Sequence, residues 1–314
     1  MNVMVMGAGG VGGYLGAKLA QAGAAVSFIA RGAHLAQMRG YGLRVEGSES
    51  IHVREFQAAD NVGELPAPDL VLFCVKLYDT VDAAKLIAPV LSERTAVLTL
   101  QNGIDSVPDL QRLLGVRQVL GGAAFFPANI SAPGVVRYLG KIESKPHIEF
   151  GEPGAGPSER VSAIASVLLQ AGLTVEVCSD TNRMLWEKFL LIAGTSAATT
   201  LSRSAIGVIR DDADLRWLLR ASIDEAYRVG CAAGVRLADD AVAQVVRTLN
   251  GNPDDAKASQ LVDLENGRCL ELDGLSGAIV RHGQMLGVDT PIHRCVYAAL
   301  KPFMHGTQGT VFTS

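Results

Sequence analysis

Met1-Asn2-Val3-Met4-Val5-Met6 runs straight into Gly7-Ala8-Gly9-Gly10-Val11-Gly12-Gly13, so an apolar strand must stop at a glycine-rich turn and pass into a helix. Gly7, Gly9 and Gly12 form G-x-G-x-x-G in the context that gives this pattern meaning, a strand before it and a helix after it. In a dinucleotide site the first glycine makes the tight turn and the second lets the backbone approach the pyrophosphate. The third allows close helix–strand packing, and the helix N-terminus supplies N–H donors to the phosphates, so Gly7, Ala8, Gly9, Gly10, Val11 and Gly12 are the expected cofactor-binding residues. Ala24-Ala25-Val26-Ser27-Phe28-Ile29 then reads as a second strand. An NAD site places an acid at the end of that strand for the ribose 2′-hydroxyl. Here no aspartate or glutamate occurs before Glu46, and Arg31 stands at the strand end, followed by His34, Arg39 and Arg44. A guanidinium suits a 2′-phosphate, so NADP (NADPH) is the expected cofactor. The plain alternative is a nucleotide-free α/β domain with a solvated arginine.

At 314 residues the chain has room for two domains and a large core. Its 48% hydrophobic and 19% charged residues describe a compact soluble protein. A net charge of −4 and a pI near 5.9 argue against nucleic acid as a partner. Cys74, Cys178, Cys231, Cys269 and Cys295 are odd in number, scattered and without a C-x-x-C, which points to free thiols in a reducing cytoplasm. No charged segment precedes the apolar start, so residues 1–6 read as a strand and not a signal peptide. The apolar run from Phe189 to Leu201 is too short and too rich in hydroxyls to span a bilayer, and no membrane association is expected.

Short β-like runs alternate with helical segments through the first half, implying a mostly parallel sheet covered on both faces. Strands are expected at Leu70–Val75, Ala96–Leu100 and Gln118–Gly122, with helices at Asp79–Leu91 and Val107–Leu114. Ala123–Phe150, broken by Pro127, Pro133-Gly134 and Pro146, reads as antiparallel hairpins. Residues 151–157 read as a loop, Ser158–Ala171 as a helix and Leu173–Cys178 as one more strand. Beyond Asp180 the expectation is all helical: Met184–Thr199, Asp212–Ala233, Ala241–Leu249, Lys257–Asn266, Glu271–Gly287 and Ile292–Met304. The fold class is therefore a Rossmann-type α/β domain over 1–179 and an all-α domain over 180–314. The tail from Gly306 to Ser314 has little periodicity and is expected to pack loosely.

Ligands of open α/β sheets bind beyond the carboxyl ends of the strands, which singles out Lys76 and Asn102. Lys76 either contacts nucleotide or substrate or is a surface lysine. Asn102 either bonds a catalytic group or the nicotinamide, or simply forms an Asn-Gly turn. Lys188 shares a helix face with Met184, Leu191, Ile192, Thr195, Ser196 and Thr199. If buried there it loses hydration, which lowers a lysine's pKa toward that of a working general acid. If not, it snorkels from a core helix. Glu271 either favours the start of a helix or holds a substrate hydroxyl or an ammonium. Ser259 either binds a substrate carboxylate or satisfies backbone groups. The six histidines show no metal-ligand spacing, and neither G-x-S-x-G nor a Walker G-K-[ST] is present, so no metal is expected.

Taken in order, Gly7–Gly12, Ala30-Arg31-Gly32, Val75-Lys76, Leu100-Gln101-Asn102-Gly103, Leu185-Trp186-Glu187-Lys188-Phe189, Ser259 to Glu271 and Gly287-Val288-Asp289-Thr290-Pro291 resemble the ketopantoate reductase (2-dehydropantoate 2-reductase) family over nearly the whole chain. The resemblance implies NADPH-dependent reduction of a 2-oxo acid, with ketopantoate giving pantoate for pantothenate synthesis, in a site between a Rossmann-type and a helical domain. It implies Lys188 as general acid, Asn102 as the group positioning it, Glu271 on the substrate hydroxyl, Ser259 on the carboxylate and Arg31 on the 2′-phosphate. Well-characterised members carry asparagines four and eight residues after the lysine, and this chain has Ile192 and Ser196 there. Ser196 keeps a polar group toward the substrate and Ile192 does not. That difference leaves a second substrate class, a more apolar 2-oxo acid, and the stretch from Glu271 to Gly277 resembles that of paralogous members without an assigned substrate. A third reading is an NADP-binding protein without catalysis. Assembly stays open, a homodimer being the form considered.

Overall fold

The computed structural model describes residues 1–140, 145–154, 156 and 158–306. The expected loose tail from Gly306 lies, except for Gly306 itself, outside the described residues. By its contacts the chain divides into two compact units, one of Met1–Gln101 with Ser106–Met184, the other of Asn102–Asp105 with Leu185 onward.

Among the described residues the first unit is built on twelve strands: β1 (Asn2–Met6), β2 (Ala25–Ile29), β3 (Leu43–Gly47), β4 (Ile51–Val53), β5 (Gln57–Ala59), β6 (Leu70–Phe73), β7 (Ala96–Thr99), β8 (Val119–Phe125), β9 (Ala128–Ala132), β10 (Val135–Tyr138), β11 (His147–Gly151) and β12 (Thr174–Val177). Among the described residues, eight of them form one sheet in the order β12-β11-β8-β7-β6-β1-β2-β5. Every pairing in it is parallel except β11 with β8. The mostly parallel sheet expected from the sequence is thus present. Its central strands read as continuous apolar runs because both faces are covered: Val3 to Met6, Leu70 to Phe73 and Ala96 to Leu98 are all at most 3% exposed.

Two parts of this unit differ from the sequence reading. A second sheet, β4-β3-β10-β9, joins residues of the expected hairpin region to β3 and β4, which were not anticipated; β5 was not anticipated either. Val135 of β10 lies in parallel register with Arg44 of β3, so the pairing is made by chain segments about ninety residues apart, beyond the reach of local pattern. The alternation of buried Leu43 and Val45 with exposed Arg44 is a strand signature, but over too few residues to stand out.

Helix α1 (Gly10–Gln21) lies against both sheets, and its glycines are the reason it can. A Cβ at Gly12 would run into the carbonyl of Gly7 and approach Val5 Cγ1 at 2.9 Å, and one at Gly16 would strike the Phe28 ring. On another side, a Cβ at Gly10 would meet the Ala128 carbonyl, and one at Gly13 would lie 2.8 Å from Val136. Tyr14 then stacks on Tyr138, with ring centroids 4.5 Å apart and planes 9° from parallel. Helices α2 (Gly32–Tyr41), α3 (Thr80–Ile87), α4 (Ser106–Leu114) and α5 (Glu159–Gln170) complete this unit.

The chain continues as α6 (Thr181–Ser202), α7 (Ile206–Asp211), α8 (Ala213–Ala232), α9 (Ala241–Asn250), α10 (Ser259–Glu265), α11 (Ser276–Leu286) and α12 (Pro291–Leu300). From Leu185 on, the second unit contains no strand among the described residues, as expected, although α7 was not anticipated. Its core gathers Trp186, Phe189, Leu190 and Ala193 of α6 with Ile223 and Val229 of α8 and Leu275 and Ile279 near α11. Glu225 receives the N–H groups of Ile292 and His293 at 2.7 and 2.9 Å and so caps α12. Burial holds the His293 ring neutral, its pKa lowered to about 4, and its nitrogens meet Ser276 Oγ and the Ser222 carbonyl. Among the described residues no helix is long and apolar enough to cross a membrane.

One expected helix begins late. Glu271–Gly287 is helical only from Ser276, and Glu271 lies in a turn whose carbonyl accepts the N–H groups of Gly274 and Leu275, each at 3.1 Å. Leu272, Leu275 and Ile279 are all buried, so apolar periodicity runs unbroken through turn and helix alike. Periodicity reports which side chains face a core, not which carbonyl each N–H meets.

Candidate functional site

In the first unit, strand register brings the expected cofactor residues together. Met6 pairs with Ile29 on one side and with Phe73 on the other, and Phe73 pairs with Thr99. The carboxyl ends of β2, β1, β6 and β7 therefore lie level. The chain runs from β1 outward to β2 and later returns to build β6 on the other flank of β1. That reversal is the switch point where α/β sheets bind ligands.

Gly7 leaves β1 with φ +96°, and a Cβ there would press on the Val75 backbone, so glycine is required. The N–H groups of Gly7 and Ala8 both donate to the Ile29 carbonyl, at 3.3 and 3.2 Å, tying the turn to the end of β2. Gly9 caps α1 without any side-chain hydrogen bond, and the first turn of the helix holds no acid. A Cβ on Gly9 would meet nothing within 4 Å, so the turn faces open space there. A positive helix end with an open approach is what a pyrophosphate requires, and Gly7, Ala8, Gly9, Gly10, Val11 and Gly12 fit a dinucleotide.

The basic residues after β2 separate into different tasks. Arg31 precedes α2, is exposed, and its guanidinium makes no ion pair among the described residues. Arg39 instead donates to the Ala58 carbonyl at 2.7 Å and to Glu64 at 3.3 Å. Arg44 belongs to the second sheet, opposite His52. His34 Nδ1 accepts the Gly134 N–H at 3.0 Å, and burial lowers its pKa below the ordinary imidazole value. The acid-free stretch is also less isolated in space than in sequence. β5 pairs with β2 so that Ala30 N–H donates to the Ala59 carbonyl at 3.0 Å, which brings exposed Asp60 to the same strand end as Arg31.

Lys76 is half-buried just beyond β6, where its carbonyl accepts the Asp79 N–H at 2.9 Å in a short 3-10 turn. Gln101, which sequence reasoning left without a role, holds this turn. Its amide Nε2 donates to the Val75 carbonyl at 3.1 Å and to Thr80 Oγ1 at 2.8 Å, while its Oε1 accepts from Thr99 Oγ1 at 3.2 Å. Thr80 passes the chain on to the Leu77 carbonyl at 2.7 Å. At 5% exposure, Gln101 has no water to replace these partners. Gln101→Leu should lower unfolding free energy by about 1–3 kcal/mol and weaken binding of a nicotinamide dinucleotide, readable by urea titration and by calorimetry. Wild-type values in both would remove it from this task.

In the second unit, α6 is buried on nearly every side from Met184 to Thr200. Lys188 is 8% exposed and Ser196 1%. The hydroxyls expected beside them are partly spent on their own helix: Thr195 Oγ1 donates to the Leu191 carbonyl at 2.6 Å and Thr199 Oγ1 to that of Thr195 at 2.7 Å. Ile192 is half-buried. Glu271 is 7% exposed, and neither it nor Lys188 is without an interaction. Ser259 opens α10, is exposed, and caps nothing, since Ala258 holds the cap position without a side-chain bond. Asn102 is half-buried, followed by Gly103 at φ +114° and by Ile104 in the unit's core.

One grouping was invisible in sequence spacing. His147, Glu149 and Glu176 place ligand-type atoms within 4.8 Å of one another across β11 and β12, with His147 Nε2 3.0 Å from Glu149 Oε1.

The family model described as ketopantoate reductase PanE/ApbA matches residues 3–153, and its C-terminal counterpart matches 180–304. A 2-dehydropantoate 2-reductase of Mesorhizobium japonicum is 32% identical over 96% of this chain and 97% of its own length. The chain belongs to the ketopantoate reductase family. Another family relative, a 2-dehydropantoate 2-reductase of Archaeoglobus fulgidus, is 30% identical over 93% of the chain and 94% of its own. The crystal structure of a PanE/ApbA family ketopantoate reductase from Ralstonia eutropha superposes with a TM-score of 0.88 at 31% identity, covering 97% of this chain and 98% of that one. Ketopantoate reductases are NAD(P)-dependent oxidoreductases acting on CH–OH groups.

Proposed function

We propose that this chain is an NADPH-dependent 2-oxo acid reductase that converts 2-dehydropantoate to pantoate, the step that serves pantothenate biosynthesis in the cytoplasm. The observation that carries it is Lys188, a lysine 8% exposed on an apolar helix of a chain that matches a family relative over 97% of that relative's length. Reduction of a 2-oxo group needs a hydride on carbon, which the reduced nicotinamide supplies when bound, and a proton on oxygen. Lys188 Nζ donates that proton, and the new C–H and O–H bonds complete the alcohol. Asn102 holds the carbonyl and the ammonium in line. Glu271 accepts the substrate's hydroxyl hydrogen, Ser259 donates to its carboxylate, and Ser196 lines the pocket. On the cofactor side, the backbone from Gly7 to Gly12 receives the pyrophosphate, Arg31 the 2′-phosphate, and Lys76 the nucleotide.

A second reading keeps the chemistry and changes the substrate to a more apolar 2-oxo acid. It is favoured by half-buried Ile192, one turn past Lys188, and by Thr195, whose hydroxyl is returned to its own helix. A panel of 2-oxo acids at saturating NADPH separates the two. Ketopantoate should give the highest kcat/KM. A bulkier apolar acid turned over at least about tenfold better, a difference of about 1.4 kcal/mol, would favour the second. NADPH bound with no acid reduced would leave a binding protein.

A further inference from the structure

We propose that Asp105, Arg281 and His282 form a clamp that sets the positions of Asn102 and Glu271, and that His282 is its centre; this rests on the roles assigned to those two residues above. Asp105 lies three residues after Asn102 on the same short segment. Its Oδ1 receives His282 Nε2–H at 2.7 Å and its Oδ2 receives Arg281 at 2.9 Å. A carboxylate only accepts, so the imidazole proton sits on Nε2. Burial alone would raise the Asp105 carboxyl, but His282 and then Arg281 outweigh it and hold the pKa below the ordinary value, so the acceptor stays charged.

The same Arg281 donates to the Asp273 carbonyl at 2.9 Å, two residues beyond Glu271, and Tyr297 Oη–H donates to the Asp273 carboxylate at 2.7 Å. His282 also meets the Trp186 ring edge-on with centroids 6.3 Å apart, and Trp186 precedes Lys188 by two residues on α6. Two adjacent residues of α11 thus touch the three segments that carry Asn102, Glu271 and Lys188. The segment that carries Asn102 also carries Ile104, whose side chain is buried in the unit's core. The Arg281 arm is half exposed and screened by solvent, whereas Asp105 and His282 are 29% and 26% exposed, so the imidazole arm dominates.

None of the three clamp residues takes part in proton or hydride transfer, so their removal should act on geometry. In hydrogen-exchange mass spectrometry of the full chain, Asp105→Asn and His282→Phe should each speed exchange about tenfold in residues 102–105 and in 271–275 together, with β1 and β6 unchanged. His282→Gln keeps a donor at similar reach and should restore wild-type exchange. With NADPH and the best 2-oxo acid of the panel, the first two variants should lose about tenfold in kcat, with KM for NADPH within about twofold, and His282→Gln should recover it. Arg281→Gln, altering the exposed arm, gives a smaller joint rise and serves if Asp105→Asn does not fold. Faster exchange in one segment alone, or in neither, overturns the clamp. Joint loosening with kcat unchanged overturns its positioning task. Exchange needs no turnover, so a wild-type protein that reduces nothing would defeat the proposed function while leaving the clamp to be judged.

Discussion

Replacing Lys188 with alanine should lower kcat by roughly 10²–10⁴-fold, the usual worth of a positioned general acid. The affinity for NADPH should stay within about twofold, because the lysine acts on the carbonyl oxygen and uniform binding losses would appear in KM instead. The size of the effect follows from the surroundings. At 8% exposure among Met184, Phe189 and other apolar side chains of α6, water cannot readily take over the proton delivery. A cavity left by truncation should admit a small primary amine, so added methylamine should restore part of kcat in the variant and none in the wild type. Single-turnover kinetics with a calorimetric NADPH titration reads both quantities. Full activity in Lys188→Ala would remove the lysine from the acid role.

Arg31→Asp should lower the ratio of kcat/KM for NADPH to that for NADH by about a hundredfold. A charge-assisted hydrogen bond is worth about 1.5–3 kcal/mol, and a carboxylate facing the 2′-phosphate adds repulsion to that loss. The guanidinium is exposed and makes no ion pair among the described residues, so its removal disturbs no packing and the effect belongs to the ligand. Asp60 sharpens the prediction. It already stands at the neighbouring strand end, so the variant would place two acids where a ribose 2′-hydroxyl is recognised. Comparing both cofactors at subsaturating concentration decides the matter. An unchanged ratio would mean that another group selects the phosphate.

Much of the first unit was legible because its signals are local. Gly7 at positive φ, Gly12 under the turn and the apolar runs of β1, β6 and β7 are each dictated by a few consecutive residues. Lys188 was legible for the same reason, since helical spacing alone places it among apolar neighbours. The second sheet was not, because three- to five-residue strands carry too few alternations, and parallel pairing of β3 with β10 leaves no mark in either segment. Glu271 was placed at a helix start because buried Leu272 and Leu275 continue the period of the helix that follows.

What the sequence by itself determined is the glycine-rich strand–turn–helix with a shape that fits a pyrophosphate, the guanidinium at the end of β2, and the lysine within α6. Covalent neighbours set each of these, through allowed backbone angles and through the periods of strand and helix. Only the tertiary structure decided the fate of the other basic residues, with Arg39 drawn to Glu64 and His34 to Gly134. It also brought Asp60 to the end of β2 and joined Asp105 to Arg281 and His282. Those are pairings between segments far apart in the chain. A hydrogen bond depends on about 3 Å of space, and distance along the chain says nothing about that.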